Sequence, residues 1–104
     1  MSNRNQPYLP LYIQDFLTDE KLIECSASST GIYIRIMCIM HKSQEYGKVL
    51  LQQKDNQNED KCYNFAYKLA KYMPYKFDEI LAGLTELINN QVLHIDGDYL
   101  IQKR

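Results

Sequence analysis

Basic residues at helical spacing are the clearest chemical signal in the sequence. Lys61, Asn64, Lys68, Lys71 and Tyr75 recur every three or four residues, which places them on one outward face of a helix. Ammonium groups along such a face can neutralise the phosphates of a nucleic acid. The same pattern is also found on helices whose lysines only keep a protein soluble, so both interpretations stay open.

A second pair of cations ends the chain. Lys103 and Arg104 follow the last predicted strand, and we expect them at the base of a β-hairpin, where they can add phosphate contacts. We expect Lys68 and Lys71 to be exposed, so that reversing their charge should abolish DNA binding without unfolding the protein. The full set of candidate DNA-binding residues is Lys61, Asn64, Lys68, Lys71, Lys103 and Arg104.

Motifs for catalysis or metal binding do not occur in the sequence. It has no Gly-rich phosphate loop, no GxSxG and no HExxH, the motifs that would indicate nucleotide, ester or zinc chemistry. The three cysteines form no CxxC pair and are expected to be reduced, and two scattered histidines are too few for a zinc site. We therefore expect a protein that is not an enzyme, with no cofactor, no metal and no small-molecule substrate.

The composition indicates a single globular domain. Of the 104 residues, 45% are hydrophobic and 24% are charged, and the net charge is −1. This balance excludes a disordered chain, and it means that nucleic-acid binding would need a local basic patch. The polar N-terminus does not resemble a signal peptide, and the longest apolar run, 32–40, is too short to span a bilayer. We expect a cytoplasmic protein without membrane contact.

The last quarter of the chain predicts a helix that leads directly into a β-hairpin. Asn89 and Asn90 can end the helix, since Asn tolerates a left-handed backbone. Gly97 lies in a turn between two short runs rich in β-formers, 92–95 and 99–102, which indicates a hairpin. The helix itself is predicted from apolar residues at three- and four-residue spacing: Phe77, Ile80, Leu81, Leu84, Leu87 and Ile88.

The preceding segments complete a winged helix-turn-helix. Residues 31–42 have the alternation of a strand as well as the spacing of a helix, but their length and the small polar residues before them favour a buried helix. Residues 61–73 are predicted to form a second amphipathic helix that ends at Pro74. A short helix capped by Asp15 or Thr18 precedes both, with four inward apolar residues: Phe16, Leu17, Leu22 and Ile23.

The predicted fold class is therefore α+β, a helical bundle with a small antiparallel sheet from 48–51, 92–95 and 99–102. One domain covers 1–104. It begins with an extended arm, 1–14, that lies over the core. Residues 15–75 hold the helices, the short strand and a polar solvent loop, 52–60. Residues 76–104 form the third helix and the wing hairpin.

The third helix is poorly suited to reading DNA bases. Three of its outward residues are acidic and none is an arginine. The helix should therefore repel phosphates, and it lacks the arginine side chains that commonly contact base edges. We expect weakly sequence-specific contact with the DNA backbone.

The alternative function is protein–protein interaction or self-assembly, because Tyr is enriched at interfaces and small residues permit close approach. The residues of the third helix that are predicted to face outward are Asp78, Glu79, Ala82, Gly83, Thr85, Glu86 and Asn89.

Three short motifs resemble a family of prophage proteins. Residues 10–17, PLYIQDFL, are similar to the "PLYxxDWL"-like opening of the YdaU-like family, and residues 31–36, GIYIRI, to its "GAYLRLL" helix start. The tail 96–104, DGDYLIQKR, is similar to its wing. The resemblance implies an N-terminal winged-helix domain of a phage replisome organiser or replication initiator. Its implied partners are DNA and other replication proteins.

Overall fold

The computed structural model describes residues 7–43 and 47–102, which form an α+β fold with a winged-helix arrangement. Single turns of 3-10 helix at Gln53–Asp55 and Ala70–Tyr72 flank the fourth helix. No helix in these two ranges is both long enough and apolar enough to cross a bilayer. The elements in chain order are α1 Ile13–Thr18, α2 Glu20–Ile23, α3 Ala27–Lys42, β1 Lys48–Leu50, α4 Lys61–Leu69, α5 Phe77–Asn89, β2 Leu93–Asp96 and β3 Tyr99–Gln102.

Helix α3 is the central element of the core and confirms the helix predicted over 31–42. It begins four residues earlier, because the Ser26 hydroxyl accepts a hydrogen bond from the Ser29 N–H at 3.1 Å and so caps the first turn. The small polar residues before Gly31 therefore belong to the helix itself. Its inward face is almost fully buried and consists of Ile32, Tyr33, Ile36, Met37 and Met40.

Helix α5 packs on α3 and α4 through the predicted apolar face. Ile80, Leu84 and Leu87 are fully buried. The helix ends at Asn89 as predicted, but the left-handed residue that follows is Gln91, with φ of 64°. The Glu79 carboxylate accepts a hydrogen bond from the Lys76 N–H at 3.3 Å, which satisfies one backbone donor at the start of the helix.

Two residues of α5 that were predicted to face outward contact α3 instead. Gly83 is buried, and a Cβ at this position would lie 2.5 Å from Ile32 Cδ1, so the absence of a side chain allows the two helices to approach closely. Glu86 accepts hydrogen bonds from the Ser29 hydroxyl and the Ser26 N–H. These hydrogen bonds hold the pKa of Glu86 below its ordinary value. The prediction that Gly83 and Glu86 face outward was wrong, because α3 also covers residues of α5 that lie beyond its apolar face.

The three predicted strands form one antiparallel sheet in the order β1-β3-β2. Leu100 in the middle strand pairs with Val49 on one side and with Ile95 on the other. Gly97, with φ of 62°, forms the hairpin turn between β2 and β3, a conformation that other residues adopt only with strain. The order α3-β1-α4-α5-β2-β3 is that of a winged helix, and the β2–β3 hairpin is the wing.

Helix α4 is shorter than the predicted helix over 61–73. The helix is amphipathic as predicted, with Phe65, Ala66 and Leu69 buried on its inner face, but regular helix ends at Leu69 and a 3-10 turn follows. Met73 is extended, with φ of −131° and ψ of 142°. Pro74 explains this conformation, because the residue before a proline is disfavoured in the helical region.

The N-terminal helices differ most from the prediction. Helix α1 begins at Ile13, inside the predicted arm over 1–14, of which residues 1–6 lie outside the described part. The cap of α2 is Asp19, whose carboxylate accepts from the Lys21 N–H at 3.0 Å, and not Asp15 or Thr18.

Only part of this segment packs on the core. Leu22 is buried and Leu9 and Phe16 pack against the core, but Leu17 and Ile23 are each 62% exposed, so the prediction that they face inward is wrong. A groove of about 590 Å³ separates the segment from α3.

Candidate nucleic-acid interface

Asn64 is the first candidate DNA-binding residue that the structure places in the interior. It is 1% exposed. Its Oδ1 accepts from the backbone N–H groups of Gln57 and Asn58 at 3.1 and 3.0 Å, and its Nδ2 donates to the Asn58 carbonyl at 2.7 Å. The prediction that Asn64 faces outward is therefore wrong, and its amide holds the loop 52–60 against α4.

Lys68 has a similar structural role. Its Nζ donates to the Leu50 carbonyl at 2.7 Å and pairs with the Asp55 carboxylate at 3.1 Å. The Lys68 side chain is only 20% exposed, so the predicted exposed position is wrong. A charge reversal at Lys68 would place a carboxylate beside Asp55 and would disturb folding as well as any binding.

Asp55 explains why the polar loop 52–60 is held in place without an apolar residue. Its side chain is 1% exposed and also accepts from the Gln52 N–H at 2.9 Å. Burial opposes ionisation, but the Gln52 N–H and the Lys68 ammonium outweigh it and hold the pKa of Asp55 below its ordinary value. We call Asp55, Asn64 and Lys68 the polar anchor. The prediction of a solvent loop missed it, although backbone groups next to a core need partners.

Lys61 forms the other ion pair in the described part of the chain. Its ammonium contacts the Asp98 carboxylate in the wing turn, and the two side chains are 41% and 50% exposed. The pair links the start of α4 to the wing. Asp98 partly neutralises Lys61, which reduces the value of Lys61 as a phosphate ligand.

Lys71 keeps the predicted exposed position. It lies in the 3-10 turn after α4, and its Nζ is 5.3 Å from the centroid of the Tyr67 ring. Across residues 7–43 and 47–102 no carboxylate oxygen lies within 4.0 Å of the Lys71 ammonium. An ammonium over an aromatic ring is held by cation–π attraction and can still contact a phosphate.

Two further cations lie at the connection between α4 and α5 and were not among the candidates. The Arg35 Nε donates to the Tyr75 hydroxyl at 3.1 Å, and the Arg35 Cζ is 5.3 Å from the centroid of that ring. Lys76 is exposed at the start of α5. We call Arg35, Tyr67, Lys71, Tyr75 and Lys76 the basic corner. Arg35 is the single charged residue within the apolar run of α3, a signal that this position faces solvent.

An open aromatic recess lies within the same surface. Tyr63, Tyr67, Ala70, Lys71 and Phe77 line a volume of about 450 Å³. The rings of Tyr63 and Phe77 meet edge to face, with centroids 5.1 Å apart and an interplanar angle of 65°, the geometry that aromatic pairs prefer. The recess therefore combines aromatic walls with an ammonium group.

The exposed face of α5 remains acidic, as predicted. Asp78 and Glu79 are exposed in its first turn, and Ala82, Thr85 and Asn89 are also exposed. Carboxylates repel phosphates, so a polyanion should approach the α3 and α4 side of the basic corner. It should not lie along α5.

Charges of both signs lie on the wing and on the neighbouring strand β1. The Lys48 ammonium lies 4.8 Å from the centroid of the Tyr99 ring, while Asp96 and Asp98 are exposed at the turn. Lys103 and Arg104 lie outside the described residues, so their predicted place at the base of the wing stays a prediction.

The described ranges hold few other groups that could bind a metal ion or act as a nucleophile. No group of three or more His, Cys, Asp or Glu side chains there is arranged to hold a metal ion. Cys25, Cys38 and Cys62 are free thiols. Burial raises the pKa of Cys62 and outweighs its hydrogen bond with Thr85, so Cys62 is less reactive than an ordinary thiol.

Comparison with known proteins adds no relative. No family model matches the chain, and no curated protein or solved structure is significantly similar to it. The resemblance to the YdaU-like family stays a prediction from the three motifs.

Proposed function

We propose that this chain is a non-enzymatic DNA-binding winged-helix module that contacts mainly the phosphate backbone. We further propose that it serves in a DNA-replication protein of phage or mobile-element type. The replication role is supported only by the resemblance of residues 10–17, 31–36 and 96–104 to the YdaU-like family. The DNA-binding role is supported by one observation above all: three exposed cations, Arg35, Lys71 and Lys76, surround the connection between α4 and α5.

The position of these cations suits contact with a DNA backbone. In a helix-turn-helix the first helix of the pair crosses the backbone and the second begins close to the DNA. Here α4 and α5 form that pair, and the basic corner lies at their connection. Arg35 and Lys71 also lie against tyrosine rings, which limit the side-chain freedom that binding would remove.

The surface around the basic corner carries few side chains that could recognise a DNA base sequence. Asp78 and Glu79 occupy the first turn of α5, where a recognition helix usually contacts base edges. Contacts to phosphates position a protein but carry no sequence information. Weak sequence preference is therefore part of the proposal.

Salt-dependent binding tests the proposal. Fluorescence anisotropy of a labelled DNA oligonucleotide should report binding at low ionic strength. Three to five phosphate contacts, with Lys103 and Arg104 included at the upper limit, predict that log affinity for a duplex falls with log salt with a slope of about −2.7 to −4.5. No binding at low ionic strength, to either duplex or single strand, would overturn the proposal.

Lys71→Gln locates the contact on the basic corner. It should weaken binding on every sequence and make the slope less negative by about 1, with the same thermal stability because Lys71 is exposed. The matched control is Lys21→Gln on α2, which lies at the opposite end of α5, since Cys25 contacts Asn90 there. Equal slopes for the two variants would contradict a contact at Lys71.

Self-association is a second candidate function, favoured by the apolar surface of the N-terminal segment. Tyr12, Ile13 and Leu17 are 70%, 68% and 62% exposed, and α1 buries no residue. Such a surface usually marks an interaction site. A second copy is the partner that fits, because the acidic residues Glu20 and Glu24 beside this surface are complementary to the basic corner.

Sedimentation velocity over a wide range of protein concentration tests this alternative. A second copy docked on α1 should give a concentration-dependent dimer, and the double substitution of Ile13→Ser with Leu17→Ser should leave a monomer. The fold should be kept, because both side chains are exposed. A monomer at every concentration would exclude self-association.

A further inference from the structure

The aromatic recess is held open by the core. Phe77 and Cys62, at the starts of α5 and α4, pack partly against the buried cluster, and Tyr63 meets Phe77 edge to face. The neighbouring Asn64 and Phe65 are fully buried. Because Tyr63 and Tyr67 lie on α4 and Phe77 begins α5, these aromatic walls need little rearrangement to receive a planar group.

The recess exposes one ring that can stack with such a group. Tyr67 is 37% exposed and lines the recess together with Ala70, whose small side chain leaves space beside the ring. Stacking of a base on an exposed aromatic ring stabilises single-stranded complexes and tolerates any base, since every base has a π-face. A side chain such as Tyr72, 61% exposed but outside the recess, offers no second wall.

The cation at the recess selects a negatively charged ligand. The Lys71 side chain lines the same recess, so the phosphate of a nucleotide whose base is held there comes within reach of the ammonium. Lys76, which precedes Phe77 in the chain, and Arg35, which is hydrogen-bonded to Tyr75, add positive charge to the basic corner. An apolar side chain of a protein would use the rings but would gain nothing from these cations.

We propose that the recess binds an unstacked base of a single-stranded nucleic acid, with Tyr67 as the stacking residue and Lys71 as the phosphate ligand. The inference rests on the proposed function and specifies the form of nucleic acid. Bases in a duplex are stacked on each other and cannot enter the recess. The protein therefore prefers a single strand over a duplex of the same length.

The experiment compares a labelled oligo(dT) with a duplex of equal length by fluorescence anisotropy at one low salt concentration. The single strand should bind more tightly. Tyr67→Ala should lower single-strand affinity by about 5- to 150-fold, the range for loss of one stacked base, with little change for the duplex. Tyr67→Phe should keep single-strand affinity, because the ring is retained.

Tyr72→Ala is the matched control. It removes an exposed tyrosine from the 3-10 turn that follows α4 without changing the recess, and single-strand affinity should stay the same. Thermal unfolding should be similar for the wild type and all three variants, since both tyrosines are exposed.

The outcomes separate this inference from the proposed function. Salt-sensitive binding with equal affinity for both forms, or with no effect of Tyr67→Ala, would overturn the inference and leave DNA binding intact. No binding of either form would overturn both. If Tyr67→Ala changed sedimentation but not oligonucleotide affinity, the recess would take a protein side chain, and the inference would again be wrong.

Discussion

The polar side of α4 and the 3-10 turn that follows it have opposite roles. Asn64 and Lys68 point into the loop 52–60 and hold it to the helix, whereas Lys71, one turn later, faces solvent beside Tyr67. All three residues share the spacing of one helix face. The comparison shows that spacing predicts which residues lie together, while the neighbouring chain decides whether that face is exposed.

The two groups should also differ in energy. In the polar anchor Asp55 and Asn64 are almost fully buried and Lys68 is 20% exposed, so removal of one partner leaves another without its hydrogen bond. The cations of the basic corner are exposed, and exposed charges contribute little to stability. Substitutions in the polar anchor should therefore change folding, and substitutions in the basic corner should change binding.

Asp55→Asn should have the largest effect on stability. It removes the buried charge that pairs with Lys68, and we expect a loss of about 2–4 kcal/mol in the free energy of unfolding near neutral pH. Urea denaturation of the wild type and the variant measures the difference. Asp78→Asn is the matched control, because that carboxylate is exposed and its loss should cost about 0.5 kcal/mol or less.

The same variant has a defined pH dependence. The folded-state pKa of Asp55 lies below its ordinary value, so its stabilisation is present above the unfolded pKa of about 4 and is lost as pH falls through the folded pKa. The difference between wild type and Asp55→Asn should therefore shrink as the pH is lowered below about 4. A difference that grows in acid would contradict the ion pair.

Asn64→Ala should have the next largest effect. It removes three hydrogen bonds to the loop backbone, and we expect a loss of about 1.5–3 kcal/mol. Hydrogen exchange should also become faster at the amides of Gln57 and Asn58. Asn89→Ala, on the exposed face of α5, should leave these amides unchanged. Equal exchange in the two variants would mean that Asn64 does not hold the loop.

Substitution of Lys61 tests whether an exposed ion pair stabilises the fold as the polar anchor does. It should have the smallest effect on the free energy of unfolding. Its pair with Asp98 is about half exposed on both sides, so a double-mutant cycle of Lys61→Ala and Asp98→Ala should give a coupling of about 0.2–1 kcal/mol. This coupling should weaken at high salt. A much larger, salt-insensitive value would place Lys61 with the polar anchor.

Regular elements were predictable from the sequence because their signals are local. The apolar spacing over 77–88, the turn at Gly97 and the apolar run over 31–42 each correspond to an element of the observed fold. The element order followed from them, and so did the winged-helix class. Lys71 was also assigned correctly to the surface, although it lies in the 3-10 turn after α4 and not on the predicted helix.

The candidate site was less predictable, because its exposure depends on contacts between distant segments. Asn64 and Lys68 were covered when the loop 52–60 folded back on α4, and Gly83 and Glu86 came into contact with α3 when that helix packed on α5. Arg35 and Tyr75 are forty residues apart in sequence and meet only in the folded chain.

Local periodicity thus determined the helices, the hairpin and the position of the core, because burial of apolar side chains depends mainly on the spacing along each element. Only tertiary packing decided which polar side chains hold the fold together and which stay accessible to a ligand. A polar group satisfied by a distant backbone carbonyl or carboxylate has the same local sequence as one that faces water.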